Sequence, residues 1–359
     1  MPIPDRDSLI QHLQWALELE HATIPPYLCA LYSIPDGSNI GPASVIRSVV
    51  MEEMLHMTLV ANLLNAVGGE PLIDDPKFVP SYPTYLPHSN RAFLVQLLPF
   101  SPEAVDIFLR IERPAKPKSK PEPDGFQTIG QFYEAIAEAL VRLTREYGEK
   151  SLFRGPRDRQ IAGTRYYYGG GGEPIEVFNL ESAVHAVHEI AEQGEGLDHS
   201  IWDGDDQFGQ VDELAHYFRF NEIHTGRRYL PTDTPASGPT GAEFPVDWSA
   251  RYPMRPNPKA SEYRDRPELH RLMVAFNREY SDLLRTLHVA FNGNPEALLD
   301  AVPRMYALKY MAQALMAIPS GHGDGSTAGP GFEYVPPTAR AAAPTAPRGA
   351  RSPQSDRAT

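Results

Sequence analysis

Two glutamate-x-x-histidine pairs are the residues in this sequence whose types and spacing could do chemistry. Glu53 precedes His56 by three positions within the apolar stretch SVVMEEMLHM at residues 48–57, and Glu213 precedes His216 in the same way. Residues three apart on a helix lie on the same face. Each pair can therefore present a carboxylate beside an imidazole, and such donors suit iron or manganese.

The apolar residues around the first pair predict that it faces a protein interior. The inward seam of a helix bundle repeats about every seven residues. In the helix that carries Glu53 the seam reads Ile46, Val49, Glu53, His56, Val60 and Leu63, and in the preceding helix it reads Ile10, Leu13, Leu17, Glu20 and Ile24. Glu20 and the Glu53–His56 pair are therefore predicted to be buried, where unpaired carboxylates cost several kcal/mol unless something compensates them. Glu52 falls off the seam and is predicted to be solvated.

The later part of the chain supplies further acids and imidazoles for a candidate metal site. Phe220 and Ile223 continue the seam of the Glu213–His216 pair, and HAVHEIAEQGEG stacks acids and histidines on one stripe. A seam glutamate, a Glu-x-x-His, a glutamate-bearing helix and a second Glu-x-x-His form the ligand set of ferritin-like di-iron or di-manganese bundles. We predict a di-iron site, with manganese as the other candidate metal, from Glu20, Glu53, His56, Glu192, Glu195, Glu213 and His216; the choice between Glu192 and Glu195 stays open.

Alternatives remain for several of these residues. A Glu-x-x-His on a solvated helix face arises often by chance. Glu20 precedes Pro25 and Pro26 by a few positions, and it could instead satisfy backbone groups freed where the prolines interrupt the helix. The histidines at 185, 188 and 199 are predicted to support the ligands or to be structural.

The elements that must position these side chains are helices, since no strong strand signal is present. Helices are predicted from about Ser8, with a kink or restart at the proline pair, and over about 42–67, 179–198, 210–229, 266–292 and 295–318, with further starts at Ser101 and Thr128. This predicts an all-α protein. A ferritin-like four-helix bundle would occupy residues 1–230 with a proline-rich crossover at 70–125, followed by a Pro/Gly-rich linker (231–262), a C-terminal helical pair packing on the bundle (263–320) and a disordered tail (337–359).

Composition limits the classes of function. The 359 residues are 42% hydrophobic and 22% charged, as in soluble globular proteins. The formal net charge of −13 argues against a nucleic acid or an anionic membrane as partner. The single cysteine, Cys29, excludes an internal disulfide and a cysteine-based zinc site. We expect a cytoplasmic protein.

Several segments together resemble a known enzyme family. LELEHATIPPYL, EEMLHM, HEIAEQGEG, AHYFRFNEI, FNGNPEALLDAVPRMYALK and AGPGFEYV follow one another across residues 5–336. They are similar to the ferritin-like module of the iminophenyl-pyruvate or indolepyruvate-imine dimer synthases, the chromopyrrolate synthase-type enzymes of bis-indole pathways. The resemblance implies a ferritin-like bundle with iron-dependent oxidative activity on an amino-acid-derived imine in secondary metabolism. Carried onto this sequence, it implies the same seven metal-contact candidates, with Glu222 ranked lower.

The leading hypothesis is a non-haem di-iron or iron–manganese oxidoreductase. It would act with O2 on a small amine, imine or amino acid that enters beside the crossover at 70–125. The alternative is a ferritin-like protein that stores or binds iron without an organic substrate. A structural helical module with degenerate ligands is a third hypothesis, and a homodimer is left open.

Overall fold

The protein is built from helices joined by long irregular segments. The computed structural model describes residues 3–116, 118–163, 171–196, 200–204 and 213–337. Within these ranges the α-helices are α1 (Arg6–Ser33), α2 (Ile40–Ala66), α3 (Pro102–Ile111), α4 (Ile129–Tyr147), α5 (Glu149–Leu152), α6 (Leu180–Glu195), α7 (His216–Thr225), α8 (Pro267–Phe291) and α9 (Leu298–Met316). Pairing between extended segments is confined to isolated bridges in the same ranges. The prediction of an all-α protein is confirmed. The predictions for the tail from residue 338 and for His199 lie outside the described residues.

Four helices form the bundle that surrounds the candidate site. α1 packs on α2, α2 on α6, α6 on α4 and α4 on α1, which closes a ring around a shared interior. The helix pattern is clearest in α4, where Phe132, Ile136, Leu140 and Leu143 recur at three- or four-residue intervals and are fully buried. α3 and α7 pack on each other, and they also contact α1 and α2, respectively. Two elements outside the ring can therefore add side chains to its interior.

The sequence predicted a kink or a restart at the proline pair, and the structure shows no restart of α1. The helix runs continuously through Pro25 and Pro26 to Ser33. A proline removes the hydrogen bond that its N–H would donate to the carbonyl four residues earlier. For Pro26 that acceptor is the carbonyl of Ala22, and the hydroxyl of Tyr82 donates to it at 2.8 Å. A side chain from the crossover thus satisfies a group that the second proline leaves free.

Helix starts follow the capping chemistry of the sequence with two corrections. Ser101 and Thr128 cap α3 and α4 as predicted, each accepting a hydrogen bond from a backbone N–H three residues on. α1 is capped by Asp5, whose carboxylate accepts from the N–H of Ser8, so the helix begins two residues earlier than predicted. α7 begins at His216, six residues later than the predicted start at 210.

The C-terminal pair, α8 and α9, packs against the first two helices. α8 and α9 lie against each other, α9 also contacts α1, and α8 contacts α2. α2 is consequently covered by α1, α6, α7 and α8, and most of its side chains are buried all round the helix. Among the described residues, none of the helices combines the length and the apolar composition needed to cross a bilayer.

Candidate metal centre

Two groups of buried acids and imidazoles share one glutamate. Glu20, Glu53 and His56 form the first group, and Glu53, Glu112 and His216 form the second. In each group one potential ligand atom from every residue lies within 4.8 Å of the others. α1 supplies Glu20, α2 supplies the Glu53–His56 pair, Glu112 caps the end of α3, and His216 is the first residue of α7. A carboxylate common to two groups is the arrangement that can bridge two ions.

His56 is held so that one ring nitrogen faces the carboxylates. Its Nε2 lies 2.9 Å from Oε1 of Gln193 on α6. The amide nitrogen of Gln193 donates to the carbonyl of Gly171 and to Glu189, so its oxygen is the atom turned towards the ring. Nε2 of His56 therefore carries the donated proton, and Nδ1 faces Glu20 at 3.3 Å. A second hydrogen bond that sets the tautomer is a common feature of metal-binding histidines.

His216 has the same arrangement with a charged partner. Its Nε2 donates to Glu52 at 2.8 Å, while its Nδ1 lies 3.1 Å from Glu53 and 3.6 Å from Glu112. Glu52 in turn accepts from Arg219 at 2.6 Å. Burial alone would raise the pKa of Glu52, but the Arg219 guanidinium outweighs it and lowers that pKa to about 2. The prediction that Glu52 is solvated was wrong: it is a buried, ionised partner of His216.

Hydroxyl groups hold the three carboxylates in place. Tyr133 on α4 donates to Glu20, and Tyr27 on α1 donates to Glu112. Thr23 donates to Oε2 of Glu53 at 2.7 Å. Burial, together with the neighbouring carboxylates, raises the pKa of both tyrosines well above the ordinary value, so they act as neutral donors.

The electrostatics of the groups reflect acids and imidazoles crowded together away from water. Burial raises the pKa of Glu53 to about 7, and the charge of Glu112 adds to this effect. Burial opposes protonation of His216, but the carboxylates around it, Glu112 first, raise its pKa well above the usual range. The pKa of His56 is raised in the same way, with Glu20 outweighing burial. In the absence of a cation, protons held on these groups reduce the repulsion among the acids.

The donor set fits one or two metal ions. In the part of the chain that the structure describes, no lysine or arginine forms an ion pair with Glu20, Glu53 or Glu112. Nδ1 of His216 is buried without a hydrogen bond. A buried polar atom left unsatisfied costs about 1–3 kcal/mol, and unpaired buried charge costs more. A cation between these atoms would satisfy the nitrogen and compensate the carboxylates, and oxygen with imidazole donors suits iron or manganese.

Three of the sequence-predicted ligands lie outside both groups. The side chain of Glu213 is 58% exposed and pairs with Arg219 at 3.2 Å. Glu195 accepts from the backbone N–H groups of Ala115 and Gly130, so it ties the crossover and the first turn of α4 together. Glu192 is half-buried on α6. The structure brings together the other four, Glu20, Glu53, His56 and His216.

Glu112 is a candidate donor that the sequence did not predict. It follows Val105 and Phe108 at three- and four-residue spacing, so a seam through the short helix α3 places it among buried side chains. That signal was present in the sequence. The sequence contains no comparable indication of the contact between Gln193 and His56. The position of a glutamine on a helix does not reveal which histidine its side chain contacts.

The backbone passes close to α2 at Gly171, which explains why a glycine occupies this position. Gly171 has φ of +76°, a conformation that favours glycine. A Cβ at this position would lie 2.7 Å from Cγ of Glu52. The residue therefore allows the backbone to pass directly over α2, where its carbonyl accepts from Gln193.

Comparison with known proteins supports the family resemblance. Dichlorochromopyrrolate synthase of Lentzea aerocolonigenes is 27% identical over 398 residues, covering 92% of this chain and 36% of that protein. A second relative, 2-imino-3-(indol-3-yl)propanoate dimerase of Chromobacterium violaceum, is 27% identical over 225 residues, covering 54% of this chain and 21% of the relative. The resemblance to imine dimer synthases is confirmed. The chain spans little more than a third of the first relative's length and about a fifth of the second's.

The fold also has a solved counterpart and a matching family model. The crystal structure of a ferritin-like protein from Caulobacter vibrioides aligns with a TM-score of 0.60 at 22% identity, covering 88% of this chain and 96% of that one. The family model described as Ferritin-like matches residues 13–225, more than half of the chain. The chain therefore belongs to the ferritin-like family.

Proposed function

We propose that the protein is a non-haem di-iron oxidoreductase, or an iron–manganese one, that acts with O2 on a small amino-acid-derived amine or imine. The ligands would be Glu20 and His56 on one ion, Glu112 and His216 on the other, and Glu53 between them. The observation that carries this proposal is the membership of Glu53 in both groups of donors. A single shared carboxylate flanked on each side by one acid and one imidazole matches the chemistry of carboxylate-bridged ion pairs.

The protein's own residues would prepare the site before any substrate arrives. Gln193 and Glu52 donate no ligand atom in this proposal, but each fixes an imidazole with Nδ1 turned inwards. The hydroxyls of Tyr133 and Tyr27 orient the terminal carboxylates, which reduces the reorganisation needed on binding. When bound, iron would supply the redox chemistry with O2 that these side chains lack.

Support for the substrate class comes from the relatives. One is named for a 2-imino acid that it dimerises, and the other for synthesis of a chlorinated chromopyrrolate. The chain covers only part of each, so an imino or amino acid as substrate, dimerisation as reaction and secondary metabolism as setting remain proposals for this protein. From its amino-acid composition we also propose that the enzyme is cytoplasmic.

Metal content tests the centre directly. Protein from iron-supplemented cells should contain about two ions of iron or manganese per chain, measured by mass spectrometry of the metals. The double variant Glu53→Ala/His56→Ala should contain close to none. Glu213→Ala is the matched control, because this exposed glutamate lies outside both groups, and it should retain the wild-type content. Equal metal content in wild type and double variant would refute the centre.

Oxygen consumption separates the enzyme from an iron-storage protein. With 2-imino-3-(indol-3-yl)propanoate present, the iron-loaded enzyme should consume O2 in fixed proportion to substrate oxidised. Iron storage predicts O2 consumption without organic substrate, ending in ferric mineral. Iron loading with neither process would leave a metal-binding protein and refute the oxidoreductase.

A further inference from the structure

A separate cavity lies on the side of α1 and α2 that the C-terminal helices cover. It has a volume of 220 Å³ and is lined by side chains of α1, α2, α8 and α9. For comparison, an engineered apolar cavity of about 150 Å³ binds benzene. None of the five proposed metal ligands lines it. Those ligands face α3, α4, α6 and α7, so the cavity and the metal centre lie on different sides of the α1–α2 pair.

The body of the cavity is apolar and adaptable in shape. Four methionines, Met51, Met54, Met57 and Met305, contribute to its wall together with leucines of α1 and α8. Methionine is unbranched and polarizable, and it packs against aliphatic and aromatic ligands alike. Packing of the four helices does not by itself explain a cavity of this size, because protein interiors normally contain few voids larger than a water molecule.

The inner end of the cavity adjoins two buried polar side chains. A smaller cavity of 50 Å³ shares Leu28, Met54 and Met305 with the larger one and extends to His21 and Tyr280. The ring of His21 is 2% exposed and its Nε2 hydrogen-bonds the Tyr280 hydroxyl. Its Nδ1 is buried without a hydrogen bond.

The outer end of the cavity carries positive charge. Arg47 and Lys309 both belong to its lining, and no acid does. Arg47 is exposed and forms no hydrogen bond or ion pair with any residue in the described ranges. Lys309 pairs at 3.2 Å with Asp36, whose side chain is 76% exposed, so this contact is open to exchange with solvent. An anion at the mouth would meet the Arg47 guanidinium and would compete with Asp36 for Lys309.

We propose that this cavity binds an apolar monocarboxylate. The hydrocarbon or aryl body would lie among the methionines, and the carboxylate would sit between Arg47 and Lys309. Both a fatty acid and an arylalkanoic acid have this chemistry. The site is distinct from the metal centre, so the inference does not depend on the proposed function.

Calorimetric titration of the full chain as purified tests the site with three probes: decanoate, indole propanoate and decyl alcohol. At least one carboxylate should bind with a stoichiometry of one, and the uncharged alcohol should bind more weakly. Arg47→Glu/Lys309→Glu should weaken carboxylate binding by about tenfold. Met54→Trp, which places an indole where the two cavities join, should abolish it. Tighter binding of decanoate indicates a fatty acid, and tighter binding of indole propanoate indicates an aryl acid.

Two controls keep the result tied to this cavity. Arg271→Glu reverses an exposed charge on α8 outside the lining and should leave binding unchanged. Glu53→Ala should also leave carboxylate binding unchanged, because Glu53 does not line the cavity. If the carboxylate bound at the metal centre, this substitution would weaken its binding, and that result would overturn the proposal. Three results would overturn the proposal. They are failure of both carboxylates to bind, binding of the alcohol as tight as that of the carboxylates, and full carboxylate affinity in the double charge-reversal variant, which alters only surface groups.

Discussion

Replacing Glu53 by glutamine is expected to stabilise the metal-free protein and to destabilise the metal-loaded one. The pKa of Glu53 is about 7 in the fold against an ordinary 4.5, because its carboxylate is buried near Glu112. The folded protein therefore holds this proton more tightly than the unfolded chain, and the stability contributed by protonation is lost as the pH rises from 4.5 through 7. At about 1.4 kcal/mol per pH unit, the ionised side chain costs about 3 kcal/mol at about pH 8. Glutamine has nearly the same shape, carries no charge and can still accept from Thr23.

Urea unfolding of chelator-treated protein, followed by circular dichroism, measures this difference. Glu53→Gln should be more stable than wild type by about 3 kcal/mol at about pH 8 and nearly equal to it at about pH 4. Adding ferrous iron under argon should reverse the order, because ligand binding to the native state stabilises wild type while the variant lacks the shared donor. Glu213→Gln, which alters an exposed acid, should follow wild type throughout. Equal stability of the two metal-free proteins at about pH 8, or an order that iron does not reverse, would refute the reasoning.

Three further substitutions test contacts that support the site and the fold. Arg219→Gln leaves Glu52 buried without its guanidinium partner and should lower the free energy of unfolding by about 3 kcal/mol in urea; a loss below about 1 kcal/mol would contradict the buried pair. Gln193→Leu removes the acceptor that orients His56 and should weaken iron binding at least about tenfold in competition with a chelating dye, and unchanged affinity would count against this role. Tyr82→Phe leaves a carbonyl of α1 unsatisfied and should cost about 1–3 kcal/mol of unfolding free energy, whereas removal of any exposed tyrosine hydroxyl should cost much less.

The corrections to the sequence predictions concern residues whose partners lie far away in the chain. α2 shows why: its seam correctly predicted that Glu53 and His56 are buried, but it also predicted a solvated Glu52. That error came from assuming one buried face, whereas α2 is covered by four other helices. The prolines of α1 are a second case, because a tyrosine about sixty residues later satisfies the carbonyl that Pro26 leaves free.

For the second Glu-x-x-His pair the error is the opposite one, because a glutamate predicted to be a buried ligand is exposed. The sequence predicted that Glu213 and His216 lie on one helical face, but α7 begins only at His216. Without helix geometry the three-residue spacing no longer places both side chains together, and Glu213 pairs with Arg219 at the surface instead. The place of this acid among the candidate donors is taken by Glu112, at the end of the short helix that begins after Ser101 inside the proline-rich crossover.

By itself, the sequence determined the helical class and indicated four of the five residues that the structure groups as candidate donors, since the positions of acids within a helical repeat are a local property of the chain. The family followed from the resemblance of several segments to known enzymes. The tertiary structure alone decided that Glu53 is shared, that Glu112 completes the second group, and that Gln193 and Glu52 orient the imidazoles. These facts depend on how separate helices meet. A seam shows which side chains turn inwards, but the partner that each one finds there is set by packing between elements distant in sequence.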